Sequence, residues 1–564
     1  MIGGRDRTPD LAGDTPQAVS RAARHRSLLS APVRAASGGT APSGPGYLPA
    51  AFMRRSAPFL LVLSCSALAC VSEHGPLTNR MAQATTSYLA RAAREPVSWQ
   101  PWGRDAFALA ARLDRPVLLY VGADDCRWCA VMDREVYGDP LLGAMIDSLF
   151  VPIRVDRDER PDLADRYAAA VRLLAGLRGY PITVFLTPDG SAFFGGTYFP
   201  LDDPVTGRGL KQLLPEVAAH YRGERASILE RAALVRQLSL GRGRPAGGVL
   251  TPAWVEREIA GVRAALVLAA RTHPAAGGFV QAQAAGLLFG AAARTPDSGA
   301  LAPARAVLDA MVDSAALAPL DAARDEPAGP VRAALLEGLV AAWVETGNPR
   351  DLTRARDLAR RLAEEVTHTA ERTVFADREA YVIGAILDAA PVVGDSVAGA
   401  RARAALDTLL KRSYARGRGV RHVAGRGSPV RALLQDQAQV AGACLALTAA
   451  NPREPRYTRV AEDLAAVLER DFADSVAGGY FDVATADPAA PALADRAKPV
   501  LDELLPGANA WVARVLLRLA TVTGQERYRR RAAATLAAFV GTATGQGMRA
   551  ATYLATAQDL LVPR

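Results

Sequence analysis

Between Trp99 and Pro204, short apolar runs alternate with stretches in which apolar residues return every three or four positions. The first kind fits buried strands, the second amphipathic helices. Asp105 to Asp114 has helical spacing, and "PVLLYVG" (116–122) is an apolar run of strand length. The residues after Asp125 return to helical spacing, as does "PLLGAMIDSLF". "VPIRVD" (151–156) predicts a second strand. "PDLADRYAAAVRLLAG" predicts a helix opened by proline, which suits a first turn because no N–H is needed there. "ITVFL" (182–186) predicts a third strand, and Thr187-Pro188-Asp189-Gly190 a turn into a hairpin partner, "SAFFGGTYF". Parallel strands joined by helices and closed by a hairpin make a small α/β sandwich.

Beyond "GRGRPAGG" (241–248) the pattern changes. About twelve helical segments follow from Thr251 onward, with almost no strand signal. One phrase recurs: "GNPRDLTRARDLARRLAEEV" from 347, "NPREPRYTRVAEDLAAVLERDF" from 451 and "GQERYRRRAAATLAAFV" from 524. Each is a polar turn followed by an Arg-rich face and an Ala/Leu face, as in stacked helical hairpins. The periodicity fits a closed α/α toroid and an open solenoid equally.

The N-terminal region differs again. Residues 1–52 are rich in Gly, Pro, Ala, Ser and Arg without periodicity, and are expected to be disordered or an upstream extension of a mis-called start. From Met53, two arginines precede an apolar stretch (Ala57 to Leu63) and a small-residue zone ending at Ala69-Cys70. That is the layout of a secretory signal, too short for a membrane span. Cys70 sits as in a bacterial lipobox, with Ala67 where leucine is usual. The expectation is translation from Met53, export to the cell envelope facing the periplasm, and membrane attachment only through lipid on Cys70. Export would place the remaining cysteines in an oxidising compartment.

The length of 564 residues predicts two to four domains. The boundaries expected are 53–70 for the signal, 71–94 for a linker, 95–235 for the α/β domain, 236–250 for a linker and 251–564 for the helical domain. The net charge of +9 changes little once located. Residues 1–70 carry eight arginines against three aspartates, a net of +5 that leaves +4 for the rest. No basic stripe with interleaved aromatics occurs, so no nucleic-acid partner is expected.

Two of the five cysteines, Cys126 and Cys129, stand where the first strand gives way to a helix. A zinc site needs two further ligands at metal spacing. The other cysteines are Cys65, Cys70 and Cys444, and the six histidines are scattered, so no metal is expected. Haem attachment needs histidine directly after the second cysteine, and Ala130 stands there. Two inert buried thiols stay open as a reading, but Asp124, Asp125 and Arg127 predict a polar, partly exposed place. The redox reading has a mechanism. A cysteine at a helix N-terminus is stabilised as thiolate by unpaired N–H groups and the helix dipole. Cys126 would attack a substrate disulfide, and Cys129, one turn inside, would resolve the mixed disulfide. Arg127 would support the thiolate, while Asp125 and Asp124 would oppose it. Downstream, Tyr180-Pro181-Ile182-Thr183 puts a proline just before a strand. In a thioredoxin-like fold such a proline is cis and faces the cysteine pair. Trp128, Tyr180, Pro181 and Ile182 are therefore the expected substrate-contacting residues.

"EPVSWQPWGRDAFALAARLDRPVLLYVGADDCRWCAVMDREV", "VPIRVDRDERPDLADRYAAAV" and "GYPITVFLTPDGSAFFGGTYFP" carry a resemblance to a known family. They resemble the spermatogenesis-associated protein 20-like family of thioredoxin-domain proteins, once catalogued as a domain of unknown function. The resemblance is close over residues 95–200 and sparser at "HPAAGGF", "LLQDQAQVAGACLAL", "AGGYFD" and "RAKPVLDELLPGANAWVARVLLRLA". It implies a thioredoxin-like domain followed by an (α/α)6 toroid of the six-hairpin glycosidase type. Arg127 and Ala130 replace histidines that flank the family's Trp-Cys pair, so the dithiol is kept without histidine assistance. The family's His-Phe-Glu-Lys motif is absent from "ARDEPAGPVRAALLEGL", and Pro506-Gly507-Ala508-Asn509-Ala510 replaces Pro-Ser-Gly-Asn-Ser.

Two functions from different classes follow. The first is thiol–disulfide exchange with a protein client or redox partner, the toroid binding or scaffolding, with no cofactor. The second is a carbohydrate-binding or sugar-modifying toroid with a vestigial thioredoxin domain. Glycoside chemistry needs paired carboxylates across a cleft and flat groups to hold sugar. The candidates Asp377, Asp436, Asp482 and Asp502 sit at helix starts or loops, where capping is the commoner role. Trp254, Trp343 and Trp511 lie in helical patterns that predict core packing.

Overall fold

The computed structural model describes residues 77–203, 208–241, 245–272, 278–294, 301–313, 328–367, 373–425, 430, 433–450, 454–484 and 495–561. The expected extension, the signal and Cys70 lie outside these residues, as do positions 273–277.

The α/β region runs α1 (Ser87–Arg91), β1 (Gln100–Pro101), α2 (Arg104–Leu113), β2 (Val117–Gly122), α3 (Arg127–Glu135), α4 (Pro140–Leu149) and β3 (Val151–Asp156). It continues with α5 (Pro161–Ala175), β4 (Ile182–Leu186), β5 (Ala192–Gly196), α6 (Leu210–Gly223) and α7 (Arg225–Gly241). The sheet order is β1-β3-β2-β4-β5. β2 is parallel to β3 and antiparallel to β4, which pairs antiparallel with β5. Every residue of β2, β3 and β4 is buried, because both faces of the sheet are covered. Strand alternation sorts them: Leu118, Tyr120 and Phe185 enter one core with α3, α4 and α6. Val117, Leu119, Val121 and Val184 enter the other with α2 and α5.

Two expected linkers behave differently. Residues 77–94 are packed: Met81, Tyr88 and Leu89 belong to the core on the α3 side, and Thr86 caps α1 through Leu89. Polar spacing there hid three apolar anchors. The second linker starts late, since α7 continues to Gly241 with Val235 against the sheet's other core.

The helical region contains α8 (Pro252–Thr272), α9 (Phe279–Ala292), α10 (Leu301–Asp313), α11 (Ala328–Thr346), α12 (Pro349–Glu365), α13 (Ala376–Val393) and α14 (Ser396–Ser413). A small hairpin, β6 (Tyr414–Ala415) and β7 (Gly419–Val420), precedes α15 (Leu434–Ala450), α16 (Pro455–Val467), α17 (Ala508–Thr523), α18 (Glu526–Ala537), α19 (Val540–Ala543) and α20 (Ala551–Leu561). Helices α9, α11, α13, α15, α17 and α20 pack each on the next, and α20 returns to α9. The ring is closed, so the fold is an (α/α)6 toroid and the solenoid is excluded. The sequence explains which helices lie inside. α9, α11 and α15 are apolar and small-residue rich around most of their circumference, as buried helices must be. The Arg-rich phrases form α12, α16 and α18, outer helices with one buried stripe.

The α/β region docks on the toroid end where the inner helices begin. Arg378 in the first turn of α13 reaches Asp158 at 2.7 Å, and His422 Nε2 lies 2.6 Å from the Asp158 carbonyl oxygen. Arg236 Nη2 donates to Asp495 at 3.0 Å, and Arg166 donates to the Asp495 carbonyl.

Candidate active site

The cysteine pair lies at the C-terminal end of β2. Gly122 ends that strand because no side chain fits: a Cβ there would stand 2.0 Å from the Tyr88 hydroxyl oxygen and 3.3 Å from Cys129 Cβ. Cys126 is the N-cap of α3, and its sulfur accepts from the Cys129 N–H at 3.1 Å. Cys126 and Cys129 are joined by a disulfide. The Tyr180–Pro181 bond is cis. Tyr180 packs on the cluster of Ala123, Cys126 and Cys129, and Ile182 enters β4 opposite Val121.

The expected partly exposed setting is not what forms. Cys126 is 1 % exposed and Cys129 fully buried, while Trp128 is 49 % exposed and leans on Tyr198. The surrounding charges neutralise one another instead of opening the site. Asp124 pairs with Arg91, and Asp125 pairs with Arg157, which lies 5.2 Å over the Tyr180 ring. Arg127 stands over the Trp128 ring at 6.0 Å. Neither aspartate therefore faces the pair as a free negative charge.

From Arg157 a chain of charges crosses into the toroid. Arg157 Nε donates to Asp158 at 2.7 Å, and Asp158 accepts from Arg378. Burial works against the Asp158 charge, but Arg378 and Arg157 outweigh it and hold its carboxyl well below the usual range. Burial and the neighbouring Asp158 push Asp156 up to about 7. His422 Nδ1 lies 2.8 Å from Asp436 and 3.9 Å from Asp377. Burial opposes its charge, yet Asp436 and Asp377 raise it to about 10. It is an imidazolium whose second N–H donates to Asp158.

Asp377, His422 and Asp436 form a grouping among the described residues whose donor types suit a cation. The direct hydrogen bond from Nδ1 to Asp436 already occupies the middle of it with a proton. Spacing along the chain gave no hint of this contact, because its members come from three separate loops or helix starts.

Three of the four expected toroid carboxylates hold backbone, while Asp436 bonds His422 and its Oδ2 has no hydrogen-bond partner among the described residues. Asp502 accepts from the Gly507 and Thr552 N–H groups, each at 2.8 Å, and Asp482 from Val483 and Ala497. Asp377 accepts from the Arg378 N–H at 2.7 Å. Burial pushes both Asp482, helped by Asp162, and Asp502 up to about 7. Asn509 joins the Tyr480 backbone by both its amide groups, a structural clamp. Trp254 and Trp511 are buried as expected, whereas Trp343 is only partly so.

The sequence analysis missed Tyr88, Arg154 and Asp133. Arg154 is 1 % exposed and pairs with Glu95 and Asp133, each at 2.7 Å, behind the disulfide. A lone arginine inside the apolar strand "VPIRVD" was the available signal.

The fold and the Cys-x-x-Cys at a strand-to-helix junction beside a cis-proline define a thioredoxin-like domain joined to an α/α toroid. Residues 78–239 match the family described as "Protein of unknown function, DUF255", Thioredox_DsbH, and are similar to a segment of spermatogenesis-associated protein 20. Human spermatogenesis-associated protein 20 is 35 % identical over 164 residues, 29 % of this chain and 21 % of the relative. Uncharacterized protein B0495.5 of Caenorhabditis elegans is 38 % identical over 160 residues, 28 % of this chain and 22 % of the relative. The match spans about a fifth of these relatives' length. Among solved structures, the unsaturated glucuronyl hydrolase of Bacillus sp. GL1 is 12 % identical with a TM-score of 0.43, covering 54 % of this chain and 96 % of that one. No helix among the described residues is long and apolar enough to cross a membrane.

Proposed function

We propose that the protein exchanges thiols and disulfides with a protein client in the cell envelope, using Cys126 and Cys129, and that the toroid is a binding or scaffolding domain. The observation that carries this reading is Cys126 at the N-cap of α3, bonded to Cys129 and packed under Tyr180 beside cis-Pro181. Unpaired N–H groups there favour a thiolate on the first cysteine, the state needed to attack a disulfide. Pro181 and Ile182 offer backbone to an extended client, and half-exposed Trp128 offers it an apolar face. Attachment through lipid on Cys70 belongs to the same proposal.

The sugar-active alternative is the weaker one. Asp377, Asp482 and Asp502 accept from backbone N–H groups and Asp436 bonds His422, and the α/β region sits on the toroid end that holds them. Reduction of insulin disulfides by the full chain, with dithiothreitol as electron donor, tests the first reading. The wild type should reduce insulin and Cys126→Ser should fall to background. A wild type no faster than Cys126→Ser, together with saturable binding in a glycan screen, would reverse the order of the two.

A further inference from the structure

A cavity of about 1190 Å³ opens on the outside of the toroid between α16 and α18. These two helices come from the Arg-rich phrases that begin at 451 and 524, so two copies of the recurring pattern share one groove. Its floor is apolar: Leu516 of α17 is 2 % exposed, and Ala465 of α16 and the Tyr528 ring are buried beside it. Six arginines line it. Arg456 and Arg459 stand three apart on α16, and Arg527 and Arg531 four apart on α18, spacings that put each pair on one helix face. Arg416 comes from the turn between β6 and β7, and Arg470 from the residues just after α16.

Three carboxylates share the lining, which leaves a net charge of +3, and each of them is already engaged. Glu462 accepts from Gln525 Nε2 at 3.1 Å, Asp463 from the Tyr414 hydroxyl at 2.8 Å, and Glu469 from Arg531 Nε at 2.9 Å. The first and last of these bonds tie α18 to the α16 side across the groove, so its walls are set in place. Arg456 has Asp407 at 3.2 Å and Arg470 has Asp471 at 2.6 Å, neither of which lines the cavity. Arg416, Arg459 and Arg527 have no carboxylate partner among the described residues. Arg459 Nε donates to the Pro455 carbonyl one turn back, at 3.3 Å. Arg527 Nη2 donates to the Tyr528 hydroxyl at 3.0 Å, and its guanidinium lies 4.7 Å over that ring.

Guanidinium groups gathered round one cavity repel one another, and an entering anion relieves that repulsion. The arginine fork grips a carboxylate through two parallel bonds. The volume exceeds the roughly 300–1,000 Å³ of small-molecule sites, so a single small anion would leave the apolar floor bare. We propose that the groove between α16 and α18 binds an acidic segment of a partner polypeptide. Its carboxylates bond Arg416, Arg459 and Arg527, and an apolar side chain between them rests on Leu516 and Tyr528. Every lining residue belongs to the toroid, so occupancy of the groove does not depend on the thiol–disulfide reading.

The experiment is fluorescence anisotropy of the full chain with a labelled peptide that alternates glutamate and leucine. Binding should saturate and should weaken steeply as salt is raised. A peptide with glutamine in place of glutamate should not bind. The double variant Arg459→Gln/Arg527→Gln should bind about tenfold more weakly. Arg350→Gln/Arg361→Gln removes the same charge from exposed positions of α12, outside the groove, and should bind like wild type. No saturable binding by wild type overturns the proposal. Equal weakening in the α12 variant also overturns it, by reducing the effect to bulk charge. Displacement of the peptide by inorganic tripolyphosphate at a lower concentration than by unlabelled peptide would make phosphate the occupant and overturn the acidic segment. If the double variant fails to fold, Arg416→Gln in the hairpin turn decides, with weaker binding expected and unchanged binding against the proposal.

Discussion

The α/β region and the toroid both enclose charged side chains, but what those charges face differs. Behind the disulfide, Arg154, Glu95 and Asp133 are shut in with Tyr88 and Tyr120, and several of their polar atoms lack partners beside a bond that can open. In the toroid, Asp482 and Asp502 face backbone N–H groups and are held by them. A displaced carboxyl pKa is common to both regions, so the displacement alone marks no chemistry. The partner does. A carboxylate satisfied by two amides fixes a loop, whereas one shut in with a cation depends on that cation.

The largest effect should come from emptying the buried cluster. Arg154→Met leaves Glu95 and Asp133 enclosed without their cation, a loss of about 3–5 kcal/mol for a broken buried pair. Chemical denaturation checks it, and a change below about 1 kcal/mol would mean water reaches those carboxylates and the contrast with the toroid is false.

Next is the contact between the regions. Arg378→Ala removes the cation that Asp158 reaches across the interface, at a cost of about 3 kcal/mol. Asp158 is depressed in the folded protein, so its contribution is present above its ordinary value and is lost as pH falls. The variant should be cleaved faster by trypsin at neutral pH in the connection after Gly241, and its chemical-denaturation midpoint should approach that of wild type only in acid, where wild type loses the contact too. Equal cleavage at neutral pH would show that His422 and the contacts of Arg166 and Arg236 with Asp495 hold the docking without it.

Asp502 offers a smaller, pH-dependent test. Its carboxyl stands at about 7, above an ordinary 3.8, so the folded chain holds that proton more tightly than the unfolded one. The stabilisation is complete below about pH 4 and is lost as pH rises through about 7. Asp502→Asn should remove that part of the slope, a few kcal/mol at most at roughly 1.4 kcal/mol per unit. Thermal midpoints of the two proteins across pH 4–8 should converge at low pH and separate toward neutrality. Parallel curves would place a free charge, and with it a candidate acid, in the toroid.

The smallest effect on stability belongs to Trp128. Its half-exposed ring makes Trp128→Ala cost no more than about 0.5 kcal/mol. Reduction of insulin should slow while reduction of a small aromatic disulfide stays unchanged. Equal slowing of both would turn Trp128 from a client contact into a support of the pair.

Much of this was written in local pattern. The short apolar runs "PVLLYVG" and "ITVFL", the proline at the start of α5 and the Arg-rich outer helices follow from composition, period and propensity, which depend only on neighbours along the chain. Cys126 at a helix start and Pro181 before β4 were legible for the same reason. Ring closure, the burial of Cys126, and the meeting of Tyr88 with Cys129 were decided by packing between distant segments. So were the contact of Asp158 with Arg378 and His422 and the backbone duties of Asp482 and Asp502. Tyr88 lies in a stretch whose spacing predicts a linker, and only the third dimension puts its hydroxyl against Gly122. A sequence fixes which side chains are apolar or charged at each turn. Which charge faces which sulfur is set by the way the cores close, and no period along the chain encodes it.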